Sequence, residues 1–400
     1  MSSGRPDVLL VSTHWNPTEA AYRRLLYFVQ YLVSRGLAVS CAGFTQISRA
    51  RRMILKPDKQ CYNISLFISS RPTIITTLLN IILSFPLILY LIIVRPRVVL
   101  ISIPDSHPVI FAQIGAKIIG AKVIIDVRDS QEEILISSAK GKWSRFIANI
   151  YKTIIYKIYK KSDIIIAVTH SLVKILSIKL NRLVVLVPNG ADLQLFKPLN
   201  KVEARKRLGL NEHSFLIAFI GGLFSEGYYN VLPLLFIIKK IRKKHDLNVE
   251  LIIAGHIDSI MESILKNFKD ECLYFGVLAT ENVITLLSSS DIGVIPRVKD
   301  PVYNYALPVK FYEYIATGLP VIALVNKESE LAKIVEENKL GLVCEPNDVT
   351  CLERTIISLA TDRYLLERLR RNVFAFRKYV DRAVGAEVLY RLIKIMINKE

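Results

Sequence analysis

The sequence lacks the short motifs that mark most dinucleotide, metal and hydrolytic sites. No Gly-x-Gly-x-x-Gly occurs in its 400 residues, so a nicotinamide or flavin dinucleotide site has no support. Asp-x-Asp and histidine pairs at metal-ligand spacing are also missing, so neither a metal nor a resident cofactor is predicted. Without a Gly-x-Ser-x-Gly elbow, the sequence does not suggest a Ser-His-Asp hydrolase.

Cysteine is scarce, and its spacing forms no redox or zinc motif. The five cysteines are Cys41, Cys61, Cys272, Cys344 and Cys351. They include no Cys-x-x-Cys pair, and most lie in apolar runs, as small buried residues do. Their odd number and the absence of a signal peptide predict a reducing, cytosolic setting. We therefore interpret the glycosylation sequon at Asn63 as fortuitous.

Acidic residues are the other deficit. Asp and Glu number 35 against 54 Lys and Arg, a formal net charge of +19. The excess is concentrated in Met1–Leu195, which holds 25 basic and 10 acidic residues, against 29 and 25 in the remainder. Because no zinc spacing, basic-region heptad or aromatic RNA-binding motif accompanies the charge, nucleic acid is not the predicted partner. With 52% hydrophobic residues and a mean hydropathy of +0.34, the composition favours an anionic membrane surface or a phosphate-bearing substrate.

What the sequence does contain is two sets of alternating strand and helix patterns. Since 400 residues exceed one ordinary core, two domains are expected. The first set opens with the apolar run Asp7–Thr13, the amphipathic segment Thr18–Arg35 and the run Leu37–Gly43, a unit typical of Rossmann-like folds. The turn-forming connector Val187–Pro198 places the domain boundary near residue 195, and a second alternating set follows. The predicted class is α/β, with two doubly wound sheets.

The most informative stretch is Pro301–Ala323, which predicts a binding loop, a short helix and a buried strand in succession. Pro308 suits a first helical turn because its missing N–H would be without a partner there anyway. Gly318 suits the left-handed residue just past the helix, and Pro320 prevents the helix from continuing. The strand Val321–Val325 then follows.

Lys310 and Glu313 are three residues apart and therefore project from one face of this helix near its start. The backbone N–H groups of Tyr305, Ala306 and Leu307 would lie at the positive helix N-terminus, where an anion binds. A cation, a carboxylate and amides together suit a ligand with phosphate and hydroxyl groups. The alternative is an exposed ion pair, worth only about 0.3 kcal/mol.

The run LPVKFYEYIATGLPVIA resembles the donor-site signature of family-four, group 1 glycosyltransferases with the GT-B fold, in the branch with a Pro-x-Lys and Glu-Tyr motif. The resemblance implies that Lys310 contacts the donor diphosphate and that Glu313 holds the ribose hydroxyls. It also implies two Rossmann-like domains facing across a cleft. The acceptor would bind residues 1–195 and the donor residues 196–380, with a C-terminal helix at 381–400 crossing back to the first domain.

The glycine-rich loop of the second domain departs from that family's pattern. Gly221 and Gly222 follow a predicted strand, where a parallel sheet opens to a ligand. The Arg and Lys that bind the donor diphosphate in the family are absent from this loop. Glu226 occupies the Lys position and would repel phosphate unless it points outward. Lys310 and Arg297 must then supply the positive charge.

Polar residues follow two strands of the first domain, at the edge where an open sheet binds ligands. His107 follows strand Arg97–Ile103. Asp129 comes just after strand Lys122–Asp126, in a run Asp-Val-Arg-Asp that resembles the polar groups facing the donor sugar in this branch. We predict catalytic roles for both. Alternatively, Asp105 only caps a helix that begins near His107.

Two segments of the first domain predict contact with a membrane surface. Thr73–Val94 is an uncharged run long enough to span a bilayer, but strands expected in one sheet precede and follow it. We interpret it as a helix broken near Pro86 and partly inserted into one leaflet, with a wholly buried helix as the alternative. Lys140–Lys161 has an apolar stripe among Lys and aromatic residues, typical of an interfacial helix or of a core helix with a basic outer face. The lysines expected to bind anionic lipid are Lys152, Lys157, Lys160 and Lys161.

The predicted activity is transfer of a hexose from a UDP- or GDP-linked sugar to a hydroxyl of a glycan or lipid-linked acceptor. By resemblance, the anomeric configuration is retained and no metal is needed. Front-face attack is favoured, with Lys310 stabilising the leaving diphosphate. The protein would bind peripherally to the cytoplasmic face of a membrane. One alternative is a GT-B nucleotide-sugar epimerase. Another is a degenerate donor-binding scaffold subunit, which Glu226 favours, as does Tyr305 in place of a Glu found in many relatives.

Overall fold

The computed structural model describes residues 5–12, 20–46, 63–68, 74–103, 107–129, 131–139 and 141–398. The chain divides into two compact units. The first comprises Met1–Asn189 and Arg382–Glu400, and the second is Gly190–Asp381. The division therefore falls inside the connector Val187–Pro198, somewhat before the position that the sequence predicts.

The first unit is built on a seven-stranded parallel sheet in the order β3-β2-β1-β4-β5-β6-β7. Its strands are β1 Val8–Ser12, β2 Val39–Gln46, β3 Asn63–Ile68, β4 Val98–Ile103, β5 Lys122–Val127, β6 Ile164–Ala167 and β7 Val184–Leu186. β3 contains the sequon and is not predicted by the sequence analysis. It pairs in parallel with β2, from Cys41 opposite Asn63 to Gln46 opposite Ile68. Central strands such as β1 are buried along their whole length, which explains their uninterrupted apolar runs.

Helices cover both faces of this sheet. Those before the connector are α1 Ala20–Ser34, α2 Ile74–Leu83, α3 Pro86–Val94, α4 His107–Ile119, α5 Gln131–Ser138, α6 Lys142–Lys161 and α7 His170–Leu180. The predicted break near Pro86 is confirmed, because the proline occupies the first position of α3. Leu9 and Val11 of β1 pack in a core with α3, α4, α6 and α7, while Val8 and Leu10 pack with α1 and the C-terminal helix.

The second unit is built on a six-stranded parallel sheet in the order β10-β9-β8-β11-β12-β13. Its strands are β8 Phe215–Ile220, β9 Val249–Ala254, β10 Cys272–Tyr274, β11 Ile292–Pro296, β12 Val321–Leu324 and β13 Gly341–Cys344. The chain runs outward from β8 through β9 to β10, then returns to β11 and runs outward the other way. The order therefore reverses between β8 and β11, and this reversal is where open α/β sheets bind ligands.

Short helices alternate with these strands. They are α8 Lys201–Leu208, α9 Leu232–His245, α10 Ser259–Leu265, α11 Thr280–Ser289, α12 Val309–Ala316, α13 Glu330–Glu337, α14 Val349–Thr361, α15 Arg363–Phe376 and, in the first unit, α16 Arg382–Ile397. Single 3-10 turns occupy Lys266–Phe268, Pro301–Tyr305 and Arg377–Val380. One continuous core of buried side chains lies on both faces of the sheet.

Two cysteines of the second unit differ from expectation. Cys344, the last residue of β13, forms a disulfide with Cys351 in the first turn of α14. In the sequence these are thiols without a motif, because a spacing of seven residues does not indicate a disulfide until a strand and a helix bring the two cysteines together. Cys272 is a buried free thiol, and burial raises its pKa to about 12.

Candidate donor site

The candidate site lies where β8 and β11 separate. These strands pair only at Ile292 with Ile217 and at Gly293 with Ala218, although both strands continue beyond that point. On their outer sides, β8 stays paired with β9 up to Ile220, and β11 stays paired with β12 up to Pro296. The carboxyl ends of β8 and β11 therefore diverge and leave an opening at the point where the strand order reverses.

A glycine turn borders this opening. Gly221 follows β8 directly and has φ +111, a conformation that side chains disfavour. Its N–H donates to the Ala254 carbonyl at 2.8 Å, so the turn is anchored to the end of β9. A Cβ at Gly221 would lie 3.4 Å from the Lys310 Nζ. The predicted donor residues Gly221 and Lys310 are therefore neighbours in space, although nearly ninety residues separate them in sequence.

Lys310 is a buried cation surrounded by aromatic rings. Its Nζ lies 3.7 Å from the ring centroid of Phe219 and 3.6 Å from that of Tyr229, close enough for strong cation–π attraction. It has no hydrogen-bond partner among the described residues. Burial lowers its pKa well below the ordinary value; the nearby Arg297 charge lowers it further, and Glu313 partly offsets both.

Arg297 provides a second buried cation at the same end of the sheet. It directly follows β11, and its guanidinium carbon lies 4.9 Å from the Tyr303 ring centroid, 5.4 Å from Tyr229 and 6.0 Å from Tyr228. Its Nε is buried without a hydrogen-bond partner in the described structure. Tyr229 thus contacts both cations, so the prediction that Lys310 and Arg297 act together is consistent with their placement.

Glu313 lies beside Lys310 on α12, and both side chains are buried. The alternative of an exposed ion pair is therefore wrong. The sequence missed this burial because α12 is enclosed by β11 on one side and by α15 and the Arg377–Val380 turn on others, so that every residue from Lys310 to Ala316 is buried. Gly318 has φ +77 just past the helix end, as the sequence predicts.

The segment before α12 differs from the prediction in two respects. Pro301–Tyr305 is a 3-10 turn begun by Asp300, whose carboxylate accepts from the Val302 N–H at 2.9 Å. The Ala306 N–H already donates to the Tyr303 carbonyl at 3.3 Å, so it is not an open donor for an anion. Pro308 is the residue before the helix, in extended conformation, rather than a member of its first turn. Tyr305 is half-buried and Leu307 is buried.

The loop between β8 and α9 is folded back towards α10. The Ser225 N–H and Oγ both donate to the Asp258 carboxylate, at 2.8 and 2.7 Å, and the other carboxylate oxygen accepts from the Met261 N–H. Gly222 lies against the ring of Phe224, so any side chain there would displace it. Glu226 lies at the exposed turn that follows.

The two predicted catalytic residues of the first unit are less defined. Asp129 is exposed just after β5, whereas Asp126 on that strand is fully buried. Asp126 accepts from Ser102 at 2.8 Å and pairs with Arg24 at 3.3 Å, so it serves the fold. His107 is the first residue of α4, but its side chain, like Asp105, lies outside the described part of the structure. Their catalytic roles stay predictions.

Several residues near the site escaped the sequence analysis. Tyr314, Phe219, Tyr229 and Tyr303 surround the two cations or the strand ends, but in the sequence each looks like an ordinary core aromatic. The one available signal was Gly293, because a glycine inside a buried strand indicates a close approach by another group. Within the described ranges, no cluster of three or more His, Cys, Asp or Glu could hold a metal ion.

Comparison with known proteins relates the second unit to a described protein family. The family model described as "Glycosyl transferases group 1" matches residues 214–362, which include both cations and the glycine turn. This match covers most of the second unit, which therefore resembles a group 1 glycosyltransferase domain. The probable glycosyltransferase WbjE of Pseudomonas aeruginosa is 21% identical over 243 residues, and the match spans 60% of this chain and 60% of that protein.

Solved structures extend the likeness to the whole chain. The sucrose-phosphate synthase of Thermosynechococcus elongatus superposes with a TM-score of 0.76 at 16% identity, covering 99% of this chain and 100% of that chain. HepE of Anabaena, solved with UDP, gives a TM-score of 0.69 at 13% identity, with 97% and 99% covered. These likenesses confirm the predicted α/β class and GT-B fold.

Proposed function

We propose that the protein transfers a hexose from a nucleotide sugar to a hydroxyl acceptor, with retention of configuration and without a metal. The observation that carries the proposal is the pair of buried cations, Lys310 and Arg297, each with a nitrogen that lacks a partner in the described structure. Lys310 lies beside the Gly221 turn, and Arg297 directly follows β11, at the switch point of the sheet. Two desolvated positive charges at such a point suit a diphosphate.

The proposed chemistry uses the second unit as follows. The diphosphate binds Lys310 and Arg297, and Glu313 accepts hydrogen bonds from the ribose hydroxyls. Negative charge grows on the diphosphate as the glycosidic bond breaks, and the preorganised Lys310 charge stabilises it in a site from which water is largely excluded. The leaving diphosphate accepts the acceptor proton during front-face attack. UDP is the first nucleotide to test, because HepE was solved with UDP.

The test is to incubate the purified protein with a panel of UDP- and GDP-sugars. Slow hydrolysis or transfer supports the proposal, formation of an epimer supports the epimerase alternative, and binding without turnover supports a scaffold. Lys310→Ala should lower turnover more than binding, since its charge matters most in the transition state. Lys333→Ala, which removes an exposed lysine of α13 in the same unit, is the matched control. Turnover of Lys310→Ala within about twofold of the unmodified protein would contradict the role of Lys310.

Glu313→Gln tests the ribose contact separately. It should weaken nucleotide-sugar binding by about 1.5–3 kcal/mol, the usual contribution of a hydrogen bond to a charged group. Binding of inorganic diphosphate, which has no ribose, should change little. Equal losses for both ligands would indicate that Glu313 acts on the phosphate site instead.

The acceptor side of the proposal rests on exposed apolar residues of the first unit. In α2 and α3 the outward residues Leu78, Ile82, Leu89 and Ile93 follow helical spacing, and Ile82 and Ile93 are 69% and 79% exposed. The wholly buried alternative for Thr73–Val94 is therefore wrong, although Leu87 and Leu91 do face the core. Among the described residues, no helix is long and apolar enough to cross a membrane.

Helix α6 adds a second exposed apolar row. Ala148, Ile155 and Tyr159 face the core. The exposed row consists of Trp143, Phe146, Ile147, Ile150 and Ile154, and Trp143 is 80% exposed. The stripe seen in the sequence is thus divided between core and surface. Helices α2 and α6 both pack on α4, whose Ile114 and Ile118 are exposed as well. We propose that these helices dock on the cytoplasmic leaflet of an anionic membrane, where a lipid-linked acceptor is presented.

The lysines at the end of α6 supply the charge for this docking. Lys157, Lys160 and Lys161 are exposed, and each basic residue near an anionic leaflet contributes about 1 kcal/mol. Lys152 is different from the expectation, because it pairs with Glu133 at 2.7 Å and stands over the Tyr156 ring. Because Lys152 already makes an ion pair within the protein, it is left out of the test below.

Co-sedimentation with vesicles containing either no anionic lipid or about 30% anionic lipid tests the docking. Replacing Lys157, Lys160 and Lys161 by Gln should lower binding to the anionic vesicles, most strongly at low salt. Replacing Lys239, Lys243 and Lys244 of α9 changes the net charge equally on the other unit and should have little effect. Equal binding to both vesicles would contradict the electrostatic part, and no binding with full activity on a soluble acceptor would contradict the docking altogether.

A further inference from the structure

The hydroxyl group of Tyr314 lies in the gap between β8 and β11. Tyr314 of α12 is fully buried, and its Oη accepts from the Ile220 N–H at 3.3 Å. The same oxygen lies 3.2 Å from the Ala218 carbonyl and 3.3 Å from the Val294 carbonyl. The hydroxyl has one proton, which it can donate to either of these carbonyls. It therefore joins groups of both strands at and just beyond their last paired residues, Ala218 and Gly293.

A glycine in β11 makes room for this ring. A Cβ at Gly293 would lie within 2.7 Å of three carbon atoms of the Tyr314 ring, closer than real atoms approach. Any side chain at this position would therefore push the ring out of the gap. The absence of a side chain at Gly293 therefore allows the Tyr314 ring, and with it the hydroxyl, to occupy the gap.

This hydroxyl contacts the segments that carry the glycine turn and the two cations, so its position affects how these groups are arranged for binding. Ile220, whose N–H it accepts, immediately precedes the Gly221 turn. Val294 lies on the strand that leads to Arg297, and Lys310 is one helical turn before Tyr314 on α12. One oxygen thus connects the three segments that carry the glycine turn, Arg297 and Lys310.

We infer that Tyr314 is a positioning residue for the diphosphate site, whose hydroxyl sets the distance between the glycine turn and the two cations. This inference rests on the proposed donor function for its ligand. Without the hydroxyl, Phe at this position keeps the ring but leaves the Ile220 N–H without its acceptor and allows the strands to shift. Shifts of about 1 Å in a preorganised site can lower rates about a hundredfold, even when the fold is kept.

The test compares Tyr314→Phe with Tyr159→Phe by calorimetric titration with UDP and with uridine. Tyr159 is a matched control, because its buried hydroxyl donates to Glu132 at 2.7 Å in the first unit. We expect Tyr314→Phe to weaken UDP binding about tenfold or more while the uridine affinity and the binding stoichiometry stay unchanged. Tyr159→Phe should leave both affinities unchanged. A purely structural role for Tyr314 would instead lower the fraction of active protein without changing the dissociation constant.

UDP affinity within twofold of the unmodified protein, in a folded Tyr314→Phe variant, would overturn the inference. If that variant does not fold, amide hydrogen exchange of the unmodified protein decides. The inference requires the Ile220 N–H to exchange slowly without any nucleotide present, and fast exchange there would overturn it. Failure of the unmodified protein to bind any nucleotide would contradict the proposed function, while slow exchange at Ile220 would still support the positioning of the turn.

Discussion

Lys310 shows how a binding group can be unfavourable for the fold that holds it. Its ammonium group is buried against Phe219 and Tyr229 with no hydrogen-bond partner among the described residues. Aromatic faces recover part of the lost hydration, yet burial still lowers the pKa well below the ordinary value. A buried charge with a strongly shifted pKa is typical of a site that binds an anionic ligand.

We therefore predict that Lys310→Met raises the stability of the ligand-free protein by about 1 kcal/mol at neutral pH. Because the folded-state pKa is depressed, the unfolded state binds more protons between the folded and unfolded pKa values. The unmodified protein should thus gain stability as pH rises through the folded pKa, and the advantage of Met should shrink. Thermal unfolding from about pH 6 to about pH 10 checks this. A Met variant that is less stable at every pH would show that the cation–π contacts outweigh desolvation.

The same shift predicts how UDP binding depends on pH. A diphosphate requires the protonated lysine, so affinity should fall as pH rises through the Lys310 pKa in the free protein. Lys310→Met should bind UDP more weakly and lose this pH dependence. A pH dependence that survives in the Met variant would assign the titration to another group.

At the scale of elements, tertiary contacts hold the loop between β8 and α9 so that the charge of Glu226 is exposed to solvent. Two hydrogen bonds from Ser225 to Asp258 hold the loop against the start of α10, and Glu226 follows at an exposed turn. The backbone donors also lower the pKa of Asp258, which keeps it ionised as an acceptor. The conflict between a carboxylate in this loop and a diphosphate is thereby reduced, because an exposed charge is screened by solvent.

Glu226→Lys is therefore expected to tighten UDP binding only about two- to fivefold at low salt, the scale of an exposed charge pair. The gain should vanish at high salt, because screening then removes it. Calorimetric titration at two salt concentrations measures both effects, and Glu212→Lys, an exposed site outside this loop, controls for net charge. Unchanged affinity at low salt would mean that Glu226 does not face the phosphates.

At the scale of the whole molecule, the first unit is completed only by the end of the chain. Leu389, Ile393 and Met396 of α16 pack in one core with Leu25 and Phe28 of α1. Gly385 lies so close to the Pro188 carbonyl that a side chain there would not fit. The core on this face of the first sheet thus depends on residues that follow the entire second unit.

We predict that a chain ending at Asp381 loses the folded first unit but keeps the second. Burial of a large apolar side chain contributes about 1.5–3 kcal/mol, so the loss of three approaches the whole stability of a domain. In calorimetry the truncated chain should show only the unfolding transition of the second unit, whereas the full chain should show heat absorbed by the unfolding of both units. Ile395→Gln, which changes an exposed side chain of α16 and leaves the buried face of this helix intact, is the control. A truncated chain that unfolds like the full one would show that α16 adds little to the first unit.

Features that depend on local sequence were predictable. A strand was expected directly before Gly221, and β8 is found there, because a short apolar run bounded by turn residues favours a buried strand. The break at Pro86 and the left-handed Gly318 follow from backbone sterics alone. Lys310 and Glu313 were identified as a pair, since three-residue spacing on a helix places them together.

The tertiary structure alone decided the environment of individual side chains. The burial of Lys310, the division of the α6 stripe between core and surface, and the engagement of Lys152 by Glu133 depend on which elements pack together. The hydroxyl of Tyr314 meets the Ala218 carbonyl across a sequence separation of 96 residues. No local pattern carries that information, because the partner arrives only when α12 packs beneath two strands that the strand order brings side by side.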